Sequence, residues 1–259
     1  MTLEQYIVNP LGKNNAVLNS ITRESLRKEY RLKLDAIMVR ENGKIDYNLY
    51  YEKSKNRYWM YIKVPSEVVK KFYYDVVLVF SPNSKTGSSN NIFDYDFQVF
   101  SNDPAFVFNF AHVFYKNKLF VNELQKKMSK QAIKQEAKEK NPYNLVGYVK
   151  SIYFAYLIIK DKGLNNLTKF NAEAKSVDIP KLLDSIEDAD TKIAKRQEEG
   201  AKVSKQKREA TTPKKEEPKV PTGINRVVSK LGLTKTPTVK TTTSKIGNVK
   251  TTKQSKKIK

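Results

Sequence analysis

The chain contains few residues that could perform acid–base, nucleophilic or metal chemistry. It has 259 residues, one histidine and no cysteine, which excludes disulfides and zinc sites of the usual Cys/His type. His112 lies among apolar residues between Phe108 and Phe114, a setting more typical of a satisfied core or boundary histidine than of a catalyst. Asp94 and Asp96 have the Asp-x-Asp spacing of a pair that can ligate a divalent cation. On a strand with alternating aromatics both would face solvent, so we predict no metal site.

Sequence motifs for phosphate binding or nucleophilic catalysis are also missing. The chain has no Walker A motif, no G-x-G-x-x-G fingerprint and no G-x-S-x-G elbow. Residue spacing alone leaves a Ser-His-Asp arrangement open, so an enzyme remains a third alternative. The main expectation is a protein that is not an enzyme and that uses no cofactor.

Positive charge is concentrated at one end of the chain. The formal net charge is +22, and residues 192–259 hold 20 Lys or Arg against 5 Asp or Glu, which gives +15. The last aromatic residue is Phe170. Segment 210–259 therefore has too little apolar surface to offset its conformational entropy. We predict that it is a long, disordered, Lys/Thr-rich tail.

Such a charge implies an anionic partner: nucleic acid first, then an acidic protein surface, then anionic lipid. The alternative is that the lysines only keep the chain soluble. Along an extended chain, lysines five residues apart are spaced by roughly 16 Å, whereas duplex phosphates present a charge about every 1.7 Å. We therefore predict non-specific binding of DNA or RNA. The predicted contacts are Lys214, Lys215, Arg226, Lys230, Lys235, Lys240, Lys245, Lys250, Lys256 and Lys257.

A short apolar segment at 223–233 interrupts the tail. Four of its residues have the i, i+3, i+4, i+7 spacing of one helix face. They are Ile224, Val227, Val228 and Leu231. A helix of this kind typically binds a groove on a partner protein or on its own body. The alternative is that this spacing arises by chance, because the segment is short.

Basic and aromatic residues are dense between Lys53 and Lys63. Single-stranded nucleic acid binds by stacking its bases on aromatic rings above a cationic groove. On a strand, Trp59, Tyr61 and Lys63 share one face. These three residues are therefore a candidate stacking surface. The alternatives are that both faces of the strand are buried, or that the exposed face contacts a protein.

The elements that position these residues change type near residue 100. Alternating apolar and polar residues predict an antiparallel meander, either half of a sandwich or a curled sheet, with Asn42-Gly43 as a hairpin turn. The predicted strands are 30–39, 45–51, 58–64, 76–80 and 93–100.

Helical signals follow the strands. Asp103 and Pro104 are a typical N-cap and first residue for a helix over 105–128, and 131–140 also favours a helix. The apolar segment 143–162 is either a helix that ends at Gly163 or two buried strands. We predict an α+β fold: an aromatic-rich body at 1–170 with the meander and two or three helices, then the tail.

Residues 171–209 are predicted to form an amphipathic to charged helix, with Asp178 as a cap before Pro180. Its apolar stripe packs on the body or pairs with a partner helix. The first residues of the chain lack the apolar region of a secretory signal. The longest apolar run, 152–159, is far shorter than the ~20 residues that span a bilayer. We expect an intracellular protein without membrane insertion.

The amino-acid composition of the whole chain resembles that of a known group of proteins. Tyr, Asn and Lys are abundant, residues 141–157 read NPYNLVGYVKSIYFAYL, and the C-terminal end is rich in Lys and Thr. In this bias the chain resembles small structural or DNA-associated proteins of low-GC Gram-positive bacteriophages. The resemblance includes no catalytic motif and transfers no functional residues. It implies either a virion component whose tail faces packaged DNA or an early DNA-associated protein.

These observations lead to a functional hypothesis. We expect a non-enzymatic, phage-type structural or virion-associated protein whose body makes protein contacts or self-assembles, and whose cationic tail contacts nucleic acid. It would act in the cytoplasm of a bacterial host and be incorporated into a virion. The alternative is a free DNA- or RNA-binding regulator or replication accessory protein, which would bind nucleic acid through residues 53–63 even without the tail.

Overall fold

A computed structural model describes residues 1–8, 20–83, 89–137, 141, 145–176 and 178–211, with the side chains of 20–23 and 206–211 left out. All described residues belong to one compact unit, Met1–Pro213. The predicted tail lies outside the described residues except for its first two, which end a helix. Its disorder therefore stays a prediction.

The described strands form one sheet in the order β4-β3-β2-β1-β5. They are β1 (Tyr47–Glu52), β2 (Arg57–Pro65), β3 (Tyr73–Ser81), β4 (Asp96–Ser101) and β5 (Lys175–Ser176). The first four are an antiparallel meander, and the two-residue β5 runs parallel to β1. The predicted α+β fold with a meander is confirmed. The strand predicted at 93–100 starts later, because Ile92–Asp94 is a 3-10 turn.

The described part of the chain also forms α-helices, of which Lys150–Asp161 packs on the sheet. They are α1 (Leu3–Val8), α2 (Ser20–Arg40), α3 (Pro104–Asn109), α4 (Ala111–Lys116), α5 (Lys130–Lys134), α6 (Lys150–Asp161), α7 (Leu167–Glu173), α8 (Ile179–Ser185) and α9 (Ala189–Thr211). No helix in the described part of the chain is both long and apolar enough to cross a bilayer.

The strand predicted at 30–39 is wrong, because this segment lies in α2. Alternation would place Leu32 and Leu34 on the same side, but the structure buries Leu34 and leaves Leu32 exposed. Ile37 is the next buried residue, so burial follows the helical period. Tyr30, one turn before Leu34, packs on α6 with its ring centroid 5.9 Å from that of Tyr153.

Asn42-Gly43 ends α2 instead of turning a hairpin. Both residues have positive φ, 54° and 69°, and the Gly43 N–H donates to the Met38 carbonyl at 2.7 Å. This is the bond that closes a helix end through a left-handed residue. The same dipeptide serves hairpins and helix ends because both need left-handed backbone.

Helix starts were predicted better than helix lengths. Asp103 caps α3 through the Ala105 N–H, Asp178 caps α8, and α6 is a helix and not two strands. The helix predicted over 105–128 is interrupted at Phe110 and continues after α4 as a 3-10 turn, Asn122–Lys127. The helix predicted over 131–140 is the short α5; residues 138–140 lie outside the described part. Residues 171–209 form the end of α7, β5, α8 and most of α9.

The two faces of the sheet are covered by different segments. We call them the Met60 face and the Trp59 face, after neighbouring β2 residues. The Met60 face packs against α6. At this contact the hydroxyl of Ser101, at the end of β4, lies 3.3 Å from that of Ser151 on α6. On the Trp59 face, Arg57 contacts Glu123, and Asp75 contacts the chain at Glu187 just before α9. Residues 119–121 pair with Val99 along the edge of β4. The sheet is therefore a central layer.

Candidate functional site

The predicted nucleic-acid contacts in the tail lie outside the described residues. These are Lys214, Lys215, Arg226, Lys230, Lys235, Lys240, Lys245, Lys250, Lys256 and Lys257. The apolar residues predicted to bind a groove also lie there: Ile224, Val227, Val228 and Leu231. Both sets stay predictions.

The candidate stacking surface is wrong for its two aromatic residues. Trp59 is 0% exposed and Tyr61 is 6% exposed, and only Lys63 of the three is at the surface. Stacking requires an accessible ring face, which neither aromatic offers. The sequence alternation correctly placed these residues on one face, but both faces of the strand are buried.

Trp59 belongs to a buried charge network instead. Its Nε1–H donates to Glu52 Oε2 at 2.9 Å, and the Arg57 guanidinium lies 5.0 Å from its ring centroid. Arg57 bonds the same Glu52 oxygen at 2.8 Å and reaches Glu123 at 2.7 Å. Burial alone would raise the pKa of Glu123, but the Arg57 hydrogen bond, a backbone hydrogen bond and the charges of Arg57 and Lys55 together lower it. Lys55 lies at 3.5 Å from Glu123, so these cations already have protein counterions.

Tyr61 belongs to a second buried network, centred on Asp75. The Tyr61 hydroxyl donates to Asp75 Oδ1 at 2.7 Å, and the Asn102 amide donates to Oδ2 at 2.8 Å. The Asp75 N–H donates to the Asn102 side-chain oxygen at 2.8 Å. The Glu187 N–H reaches Asp75 Oδ2 at 3.4 Å, and its carbonyl accepts from Asn102 at 3.2 Å. We call this cluster the Asp75 latch, because it holds the chain entering α9 against the sheet.

Further contacts hold the first turns of α9 on the body. Glu187 pairs with Lys192 at 3.0 Å and with Lys195, and these bonds lower its pKa although burial opposes them. Ile193 is buried, and the Arg196 guanidinium donates to the Tyr74 hydroxyl at 2.9 Å. The apolar stripe of this segment thus packs on its own body, as the first of the two sequence alternatives had it.

The structure contains an open groove of about 780 Å³. It lies between the end of β2, α3, α5 and the start of α6. Phe154 is part of its apolar base, while Val68 and Phe108 stand exposed on its rims. We call it the Phe108 groove. Exposed apolar side chains beside a concave surface are typical of a protein contact.

Charged groups line one side of the Phe108 groove. Lys150 forms an ion pair with Glu67 and lowers its pKa. Asp103 is buried at the base of the groove. Burial raises the pKa of its carboxyl, although hydrogen bonds from the Ala105 N–H and the Ser151 hydroxyl lower it. Asp103 therefore serves as the cap of α3, and its hydrogen bonds are used inside the fold.

Residues considered for catalysis or metal binding have structural partners. His112 Nδ1–H donates to the Ile133 carbonyl at 2.6 Å. Asp96 accepts from the Met1 ammonium at 2.8 Å, and Asp94 accepts from the Ser89 hydroxyl at 2.6 Å. Within the described ranges, no three His, Cys, Asp or Glu side chains lie close enough together to hold a metal ion.

The sequence reasoning missed the Phe108 groove. Val68 and Phe108 are 40 positions apart, so no local pattern relates them. A Phe in a helical segment is usually assigned to the core. Three apolar neighbours of Phe108 are indeed buried: Phe106, Val107 and Phe114. The one available signal was helical phase, because Phe106 and Phe108 lie on opposite sides of α3.

Comparison with known proteins finds no matching family model, no matching curated sequence and no matching solved structure.

Proposed function

We propose that this is a non-enzymatic structural or virion-associated protein of bacteriophage type. Its folded body makes protein contacts, and its basic C-terminal segment binds nucleic acid. The observation that carries the proposal is the charge distribution, since residues 192–259 hold +15 of a net +22. Such a segment binds a polyanion by displacing its counterions. The protein acts in the cytoplasm of a bacterial host and enters the virion.

Charge pairing in the body supports this division of roles. Arg57 and Lys55 contact Glu123, and Lys150 contacts Glu67. By contrast, residues 214–259 hold 13 Lys or Arg and only 2 Asp or Glu. Most cations of that segment therefore have no acidic neighbour in sequence, and phosphates would supply the missing counterions.

The alternative role, a free regulator or replication accessory protein, has lost its specific support. It required a nucleic-acid site in the body at residues 53–63. Trp59 and Tyr61 are buried there, and Arg57 and Lys55 are paired with Glu52 and Glu123. The exposed rims of the Phe108 groove favour a body that contacts protein.

The decisive experiment measures DNA binding against salt by fluorescence anisotropy, with a labelled duplex of about 20 base pairs. One variant of the full chain replaces the ten predicted tail contacts with Gln. A matched variant replaces ten exposed body lysines with Gln: Lys28, Lys44, Lys53, Lys63, Lys70, Lys71, Lys118, Lys126, Lys130 and Lys134. Both lose the same charge, so only position differs.

We expect the tail variant to lose binding and the body variant to retain it. If the tail neutralises about six phosphates, wild-type affinity falls on the order of 10³-fold between 50 and 200 mM salt. A tail variant that binds like wild type would contradict the proposal, as would a body variant that alone loses binding. The virion role is tested separately by mass spectrometry of purified particles, in which the protein should be present.

A further inference from the structure

A second cavity, of about 440 Å³, opens on the Trp59 face of the sheet. It is lined by Asn48 and Tyr50 of β1, Tyr61 and Lys63 of β2, and Ser185 at the end of α8. Its volume falls within the ~300–1,000 Å³ range of small-molecule sites. We call it the Asn48 pocket.

Two paired strands provide the base of the pocket. Asn48 lies opposite Tyr61 in the register, and Tyr50 lies opposite Trp59, so both β1 side chains share the Trp59 face. Tyr61 is only 6% exposed, and its hydroxyl donates to Asp75 at 2.7 Å. The base is therefore held by strand pairing and by the Asp75 latch, as in a preformed site.

Four polar side chains at the pocket are not used inside the fold. None of them forms a side-chain hydrogen bond or an ion pair with a described residue. They are Asp46, Asn48, Tyr50 and Lys63. By contrast, Glu52 on the same face accepts from both Arg57 and Trp59. The pocket therefore offers hydrogen-bonding groups to a ligand.

The lining of the pocket has no net formal charge. Its charged residues are Asp46 and Lys63, whose charges cancel. An anion would meet a single lysine with a carboxylate nearby. An apolar ligand would find no Val, Leu, Ile, Met or Phe among the lining residues that the structure describes. Both observations favour a ligand that is neutral and polar.

The available groups can both donate and accept hydrogen bonds. The Asp46 carboxylate accepts, the Lys63 ammonium donates, and the Asn48 amide does both. Burial raises the pKa of Tyr50, so its hydroxyl stays a neutral donor at neutral pH. A sugar hydroxyl also donates and accepts, so neighbouring hydroxyls of one sugar can use these groups together. A tyrosine ring adds an apolar surface with a polar tip, which suits the C–H side of a sugar ring.

We propose that the Asn48 pocket binds a neutral saccharide. Asp46 and Asn48 bind neighbouring hydroxyls of one sugar ring, and the ring packs on Tyr50. Lys63 donates to a further sugar oxygen. The inference is independent of the proposed nucleic-acid role, because no residue of the tail takes part in it.

Ligand-detected NMR with the full chain tests this proposal. The probes are glucose, galactose, mannose and N-acetylglucosamine, each as a single sugar and as a linear oligomer. We expect at least one neutral probe to bind with a Kd on the order of 1 mM or tighter. Binding of either form supports the proposal, and an oligomer that binds more tightly identifies a glycan chain as the source.

Glucuronic acid and galacturonic acid are the charged matches of two probes. Because the lining is formally neutral, each should bind no better than its neutral counterpart. If no neutral probe binds at about 10 mM, or if only the acids bind, the proposal is overturned.

Two variants test whether the sugar lies in this pocket. Asn48→Ala and Asp46→Ala should each weaken binding of the best probe about tenfold, since each loses hydrogen bonds to it. Asp46 is exposed, so its variant remains informative even if Asn48→Ala folds poorly. The matched control is Asn122→Ala, which removes an amide at an exposed position outside the pocket and should bind like wild type. Wild-type affinity in Asp46→Ala, or an equal loss in Asn122→Ala, overturns the assignment.

Discussion

Two buried carboxylates on the Trp59 face of the sheet are held in different ways. Glu52 meets a cation, since Arg57 bonds it at 2.7 Å. Asp75 meets only neutral donors: the Tyr61 hydroxyl at 2.7 Å, the Asn102 amide at 2.8 Å and a backbone N–H. The partner of Glu52 is its cross-strand neighbour in the same hairpin, whereas the donors to Asp75 come from three separate segments, the farthest 112 residues away.

This difference assigns a separate task to each carboxylate. The Glu52 pair stabilises the turn between β1 and β2 and ties it to Glu123. The Asp75 latch holds the chain that enters α9, 112 residues away from Asp75. Damage to the first should weaken the whole sheet, while damage to the second should release α9 first. Each of the following predictions probes one side of this contrast.

The largest effect should come from Arg57→Met. It leaves buried Glu52 with only Lys55, at 3.7 Å, as a counterion, and breaking a buried ion pair costs up to about 3–5 kcal/mol. Urea unfolding at 25 °C measures the loss. The double variant Arg57→Met, Glu52→Gln removes both charges and should recover more than half of the loss. If the double variant is no more stable than Arg57→Met, the pair is not the cause.

A smaller effect should follow Asp75→Ala. The Tyr61 hydroxyl and the Asn102 amide lose their acceptor, which costs about 2–3 kcal/mol. Limited proteolysis should cut the chain near residues 187–190 faster than in wild type, because α9 has lost its latch. Tyr61→Phe is the control, since it removes one hydrogen bond and should cost about 1.5 kcal/mol. Faster cleavage at the same place in Arg57→Met would contradict the separation of tasks.

Asp103 is a third buried carboxyl, and like Asp75 it accepts hydrogen bonds from neutral donors. Its effect on stability can be tested by varying pH. Burial raises its pKa above the ordinary 3.8. The folded state then holds the proton more tightly than the unfolded state. Its contribution to stability is full below about pH 3.8 and is lost as pH rises through the raised value. Asp103→Asn keeps a capping side chain but does not titrate.

The free energy of unfolding of wild type, minus that of Asp103→Asn, should therefore fall as pH rises from about 3 to about 7. Chemical unfolding at several pH values measures this difference. A difference that rises with pH would mean that the pKa of Asp103 is lowered in the folded state. That result would mean that its hydrogen bonds and the nearby Lys150 and Arg196 outweigh burial.

The smallest effect should come from Lys192→Gln, beside the latch. Its pair with Glu187 is partly exposed, so the loss should not exceed about 1 kcal/mol and should shrink in high salt. The pKa of Glu187 is lowered from 4.5, so this stability is present above about pH 4.5 and is lost as pH falls through the lowered value. A loss that persists at low pH would indicate that packing of Lys192 over Phe72 matters more.

Several features of the body followed from local sequence. Strands β2 and β3 and the start of α3 at Asp103-Pro104 depend on alternation or on capping, which act within a few residues. The end of α6 was predicted for the same reason, because Gly163 has the positive φ of a helix end. The stretch at 30–39 was ambiguous, since its apolar residues fit a strand and also one side of a helix. Packing of Tyr30 on α6 decides for the helix.

The sequence by itself determined the class of the fold, the position of most strands and the concentration of charge after residue 191, because these depend on composition and short-range pattern. Only the tertiary structure decided that Trp59 and Tyr61 are buried, since Glu123 and the chain at Glu187 come from far along the chain to contact this face of the sheet. The Asp75 latch, the Phe108 groove and the Asn48 pocket have the same origin. Each depends on which distant segments pack together, and a local pattern does not contain that information.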